Sequence, residues 1–178
     1  MALGVQKERI ATGIAMNRNE LKKCPVCDMV VAGRDHEVTY QNMPFVFCSD
    51  QCKARFLAHP RLYIGFPGSA APKHEGRVSL RRRHLRLEQP LSVEGKAILE
   101  GALCDVMGID AVNVVGDRID ITYDLLEVSL EELEAILAGI GARLGGNWGE
   151  TLRRAWIHES EETELGSLEA TPVHRYHP

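Results

Sequence analysis

Apolar and polar positions fall into three regimes along the chain. In residues 24–63 the apolar runs are short. β-Forming residues at Glu37–Tyr40 and at 45–47 flank Asn42 and Pro44, which predicts a hairpin. Ser49 reads as the N-cap of a helix over Asp50–Ala58, with Pro60 just past its end. From Leu85 the periods lengthen. Leu85 and Leu87 alternate with Arg86 and Glu88, a strand signal. Ile98, Leu99, Ala102, Leu103, Val106 and Met107 recur at helical spacing, and Gly108 fits a stop. Val112 and Val114 lead into Gly116 and Asp117, a hairpin-type turn, after which Ile119, Ile121 and Tyr123 alternate with Arg118, Asp120 and Thr122. Ser129 and Glu132 form a capping box for a helix striped by Leu130, Leu133, Ile136, Leu137 and Ile140. Residues 142–144 suggest a last short strand. The third regime is a C-terminal helix with Trp148, Leu152 and Trp156 four apart on one face, followed by an acidic run at 159–169 that reads as frayed.

Composition narrows the classes. With 44% apolar residues the chain can build a core, and its net charge of -4 argues against a dedicated DNA or RNA binder. No apolar run reaches the roughly 18 residues of a membrane helix. Residues 1–19 lack the apolar segment of a secretory signal, so the expected compartment is the cytoplasm, where thiols stay reduced. Of five cysteines, four are paired in sequence as Cys24-x2-Cys27 and Cys48-x3-Cys52, and Cys104 stands apart. In a reducing compartment such pairs read as metal ligands. Cys24 and Cys27 sit on one tight knuckle. Cys48 and Cys52 are one helical turn apart, and Cys52 falls in the first turn of the expected helix, where backbone N–H groups favour a thiolate. A knuckle, a hairpin and a helix carrying the last ligand describe a treble-clef-like site. Four thiolates suit zinc, and soft sulfur also suits copper(I), one ion per chain. About 40 residues bury little apolar surface, so the ion is expected to hold this unit together.

Cys24-Pro-Val-Cys27-Asp-Met29, then Tyr40, Phe45-Val-Phe47-Cys48-Ser49, Cys52, Phe56, Pro60 and Tyr63 closely resemble the YHS and TRASH group of domains. The resemblance implies metal binding through Cys24, Cys27, Cys48 and Cys52, in proteins of heavy-metal sensing, trafficking and resistance. Many YHS domains carry Asp at the position of Cys24, so this chain has the fuller, four-cysteine form.

The second regime orders strand, helix, strand, strand, helix, strand, the ferredoxin-like pattern. It is similar to heavy-metal-associated domains, the copper-chaperone fold, at Ala102-Leu103, Gly108-Ile109 and Tyr123-Asp124. That family places a Cys-x-x-Cys pair where the first strand meets the first helix. In this chain the register puts Ser92 and Gly95 there, so the resemblance implies the fold without its metal site. Ser92 reads instead as a helix N-cap. Cys104, on the same helix, reads as a small packed residue.

The expected fold class is therefore α+β: a small treble-clef-like zinc-ribbon or knuckle domain, a βαββαβ ferredoxin-like domain and a C-terminal helix. The expected boundaries are a tail at 1–23, with a loose helix near Ile10, Ile14 and Leu21, the metal-binding domain at 24–63, and a linker at 64–84. The ferredoxin-like domain follows at 85–145, then the helix and tail at 146–178. No Gly-x-Ser-x-Gly, phosphate loop or His-Glu-x-x-His is present, so no enzyme is expected. A thiol-redox role for Cys24 and Cys27 yields to the matched second pair. His36 and His59 read as surface residues, and His174 and His177 as tail. The leading function is a soft-metal-binding protein of heavy-metal homeostasis, trafficking or sensing, copper foremost. The expected partners are the metal ion, a metal-transport or regulatory protein, and a second copy of the chain. The alternatives are a structural zinc interaction module, or a nucleic-acid-binding regulator using the basic stretch Arg77, Arg81, Arg82, Arg83, His84 and Arg86.

Overall fold

The structure is a computed structural model that describes residues 22–31, 33 and 36–170. The expected loose helix near Ile10, Ile14 and Leu21 and the terminal His174 and His177 lie outside those residues.

The first unit grows from two antiparallel pairs. β1 (Lys22–Lys23) pairs with β2 (Val30–Val31) around the cysteine knuckle. β3 (Glu37–Tyr40) pairs with β4 (Met43–Val46) through a two-residue loop. Gln41 and Asn42 both take positive φ there, as the tightest hairpin turns require. α1 (Asp50–Ala58) starts where the sequence places it. Ser49 caps it by accepting the Cys52 N–H, and Cys52, Arg55 and Phe56 form its buried side. Phe56 is the hub of an aromatic cluster with Tyr40, Phe45, Phe47 and Tyr63, at centroid distances of 4.9–6.2 Å. Pro60 opens a further short helix, α2 (Arg61–Ile64), which the pattern does not announce.

The second unit has the expected order. β5 (Leu80–Arg86), α3 (Val93–Cys104), β6 (Ile109–Val115), β7 (Arg118–Asp124) and α4 (Leu130–Gly139) follow in turn. The strands lie β5-β7-β6, all neighbours antiparallel. The anticipated fourth strand shrinks to a single bridge, Leu144 to Leu87 on the outer side of β5. The Gly145 N–H donates to the Arg86 carbonyl at 2.8 Å to make that bridge, and the close approach suits glycine, since a Cβ there would sit 2.8 Å from the Leu87 carbonyl oxygen. This is the ferredoxin-like arrangement with a vestigial edge. Ser92 caps α3, and Ser129 and Glu132 form the capping box of α4. α3 buries Leu99 and Leu103, with Val106 buried just past its end, while Ile98 and Cys104 face solvent. Cys104 is thus exposed, not packed: the helix buries a stripe narrower than its apolar content suggests.

Two differences from the sequence reading matter for the site. β5 begins at Leu80, so Arg81, Arg82 and Arg83 belong to a strand and not to a linker. The run at 159–169 is not frayed, because α5 (Trp148–Glu169) is helical to its end. Its carboxylates are engaged. Glu161 binds Arg83, Glu164 binds Arg81 and the Ser79 hydroxyl, and Glu169 accepts the Arg61 N–H at 2.8 Å. α5 packs inward through Ile157, Glu161 and Leu165, which leaves Trp148, Leu152 and Trp156 exposed on another face.

The two units share one buried core. The segment after β7 makes the junction: Leu125, Leu126 and Val128 are fully buried. The Arg55 guanidinium reaches the Leu125 carbonyl and Glu132, and the Tyr63 hydroxyl donates to the Leu126 carbonyl at 2.6 Å. Lys73 pairs with Glu127 and Asp124.

Candidate metal centre

The knuckle is built by backbone. Asp28 takes a positive φ, its N–H donates to the Cys24 carbonyl, and the Cys24 N–H donates to the Met29 carbonyl, both at 2.9 Å. This turns Cys24 and Cys27 toward one point. β4 delivers Cys48 and the capped first turn of α1 delivers Cys52. Cys48 stands 3.3 Å from Cys27 and 3.4 Å from Cys52, and Cys27 and Cys52 are 3.9 Å apart, sulfur to sulfur. All four ligand atoms lie within 4.8 Å of one another. A tetrahedral zinc site with bonds near 2.3 Å needs sulfur separations of about 3.8 Å. The four cysteines bracket that spacing, so the cluster could hold a metal ion. Cys24 and Cys52 are buried, while Cys27 and Cys48 are half-buried and form the accessible side.

The thiols divide their protons unequally. A hydrogen bond from Cys52 lowers Cys24 to about 4, against the opposing effect of burial. Burial pushes Cys27 up to about 12. Cys52 is raised because its thiol proton is held by Cys24, with burial adding to it. Cys24 is thus the thiol that gives up its proton most readily, and Cys27 and Cys52 are those that hold theirs.

The histidines lie outside the cluster. His36 is half-buried and bonds Asp50 at 2.8 Å. His59 is buried, not on the surface as its sequence neighbourhood suggests, and pairs with Glu169 at 3.3 Å and Glu162 at 3.6 Å. The basic stretch is largely consumed inside the chain. Besides Arg81 and Arg83, His84 pairs with Asp120, Arg86 with Asp117 at 2.6 Å, and Arg77 with Glu75 at 3.0 Å. A phosphate footprint on this stretch would have to break those pairs.

One residue beside the cluster is not signalled by spacing. The Met107 thioether sulfur stands 3.5 Å from Cys52 Sγ, across 55 positions of sequence. The sequence shows Met107 only as the end of a helical stripe.

No helix among the described residues is long and apolar enough to cross a membrane. A search of curated proteins finds no match to the chain. A crystal structure of oxidized MerP from Ralstonia metallidurans CH34 is similar at 17% identity and a TM-score of 0.36, over 38% of this chain and 96% of that one. The family model of the YHS domain matches residues 23–65, the segment that carries all four clustered cysteines.

Proposed function

We propose that the chain binds one soft metal ion, zinc or copper(I), through Cys24, Cys27, Cys48 and Cys52, and acts in heavy-metal handling as a trafficking or sensing protein. The convergence of four sulfurs from three separate segments carries the reading. The YHS match over the same residues supports it. The knuckle, hairpin and α1 give this site a treble-clef-like frame. The half-buried Cys27 and Cys48 leave one side of the cluster within reach of a donor or acceptor of metal, which supports exchange. The ferredoxin-like unit serves as an interaction module with no ion of its own, because Ser92 and Gly95 occupy the turn where the related fold carries thiols. We place the protein in the cytoplasm and assign it no catalysis. The test is metal analysis of protein purified without added metal, followed by competition with a copper(I) chelator. One equivalent of soft metal per chain is expected, and a metal-free, fully folded protein that takes up neither ion would refute the reading.

The exposed stripe of α5 supports a homo-oligomer. Trp148 and Trp156 are 79% and 71% exposed, so the stripe does not pack on its own sheet. A second copy laid antiparallel and centred on Leu152 sets Trp148 against Trp156 and the small Gly149 against Ala155, which lets the helices approach closely. Buried aromatics dominate such interfaces. In sedimentation, the chain is expected to associate at tens of micromolar (about the range of weak interfaces), and the double change Trp148→Ala, Trp156→Ala to return it to monomer. An intact chain that is monomeric there, or a variant that associates equally, removes this contact.

A further inference from the structure

All four clustered thiols come from the first unit, yet a fifth sulfur is held against them by the second. Met107 lies on the loop between α3 and β6, and its Sδ is 3.5 Å from Cys52 Sγ. That position is fixed from both sides. Before it, the Asp105 N–H bonds the Gly101 carbonyl, the Val106 N–H bonds the Leu103 carbonyl, and Val106 is buried. After it, Gly108 takes φ +88 and its carbonyl accepts the Asp124 N–H at 2.7 Å. Only glycine fits, because a Cβ there would stand 2.6 Å from Glu127 Cβ. The loop is thus clamped to the segment that joins the two units, with the flexible thioether half-buried and aimed at the cluster.

The chemistry of a thioether decides what such a sulfur can do. It is neutral and soft, and so suits a soft ion such as copper(I) without adding negative charge. Zinc saturates its tetrahedron with four thiolates and has no further position in such a site. A monovalent ion in four thiolates would leave three uncompensated negative charges in a half-buried pocket, which is costly. Exchanging an anionic sulfur for a neutral one lowers that charge. We propose that Met107 is a selectivity-determining ligand: its thioether enters the coordination of a monovalent soft ion of the copper(I) class beside Cys52 and stays out of a zinc-filled site. The ferredoxin-like unit then senses which ion is bound, although it supplies no thiol. This inference rests on the four-cysteine site being a metal site.

The test uses the full chain and a Met107→Leu variant, which keeps apolar volume. Affinities for copper(I) and for zinc are measured separately by chelator competition. The variant is expected to lose about tenfold in copper(I) affinity, at the low end of what displaced metal-site partners cost, with zinc affinity unchanged. Equal weakening of both ions would mean Met107 only packs, and no change for copper(I) would mean it does nothing; either result overturns the inference. A second measurement does not depend on the variant folding. In selenomethionine-labelled wild-type protein loaded with copper(I), X-ray absorption at the copper edge should show a copper–selenium shell, and its absence overturns the proposal. If the wild-type chain binds neither ion, the metal reading itself falls with it. If it binds both tightly and only the Met107 results are negative, the metal reading stands and this inference alone is lost.

Discussion

A chain with Cys48→Ser and Cys52→Ser is expected to purify with no stoichiometric metal, and the unaltered chain with one ion. The two changes remove half of the thiolates, and the two that remain sit on one knuckle. Apparent binding energies of four-ligand structural sites are on the order of 10 kcal/mol and are tied to folding. The structural consequence is graded along the first unit. Apart from the buried Val26, the knuckle of residues 24–31 is held by short pairing alone, since β1 and β2 are two residues each. Its amides are expected to exchange quickly with solvent once the ion is gone. α1 differs, because Phe56 centres the aromatic cluster and Arg55 and Tyr63 bind the Leu125 and Leu126 carbonyls of the other unit. Its amides should keep most of their protection. Hydrogen exchange resolved by segment checks this. Full metal retention in the variant would sink the four-cysteine assignment, and uniform unfolding of residues 24–63 would show that the ion, not the junction, holds α1.

That gradation follows from what the sequence does and does not display. Signals that act within a few residues were readable. They include the Ser49, Ser92 and Ser129 caps, the hairpin around Asn42 and the spacing of the cysteine pairs, each a contact between near neighbours in the chain. The four-cysteine cluster is of this kind, since the hairpin only has to return Cys48 to the knuckle. Contacts between the units were not readable. A 40-residue unit looks as if it depends on a metal alone until Leu125, Leu126 and Val128 are seen to bury against it. His59 looks like a surface histidine until Glu169 arrives from 110 positions away. A run of glutamates is ordinarily a solvated face, and nothing local tells Glu161 from Glu159. What separates them is which side of α5 meets β5, and that depends on the whole packing. Met107 is hidden for the same reason.

Glu161 is where the second large effect is expected. It is only 2% exposed, and both carboxylate oxygens are spoken for. Oε1 accepts from the Arg83 guanidinium at 2.9 Å and from the Tyr123 hydroxyl, and Oε2 accepts the Leu130 N–H at 2.8 Å. The last of these is a free donor at the start of α4, where a negative charge also meets the favourable end of the helix dipole. One side chain on α5 thereby ties together β5, β7 and α4. Glu161→Ala would leave Arg83, whose Nε has no hydrogen-bond partner among the described residues, as a largely buried charge without its counter-ion, and would orphan the Leu130 N–H. Removing one partner of a buried pair costs about 3–5 kcal/mol. For a chain of this length that is a fall in Tm of roughly 10 °C. Glu161→Gln keeps the shape and an acceptor and loses the charge, so its cost should be clearly smaller. Tyr123 supplies an independent readout. Burial first, and then the Glu161 carboxylate, hold its phenol above the usual 10.0. A group raised in the folded state contributes stability that is complete below its unfolded value and is lost as pH climbs toward the folded one. The unaltered chain should therefore lose stability as pH rises above 10.0, and in Glu161→Ala that loss should level off at a lower pH, because the carboxylate that adds to the effect of burial is gone. Thermal melts of the three proteins from neutral pH to about two units above the phenol's unperturbed value test both statements. An alanine variant within about 1 kcal/mol of the parent, the range of an exposed ion pair, would mean that Glu161 is not the tie between the three elements.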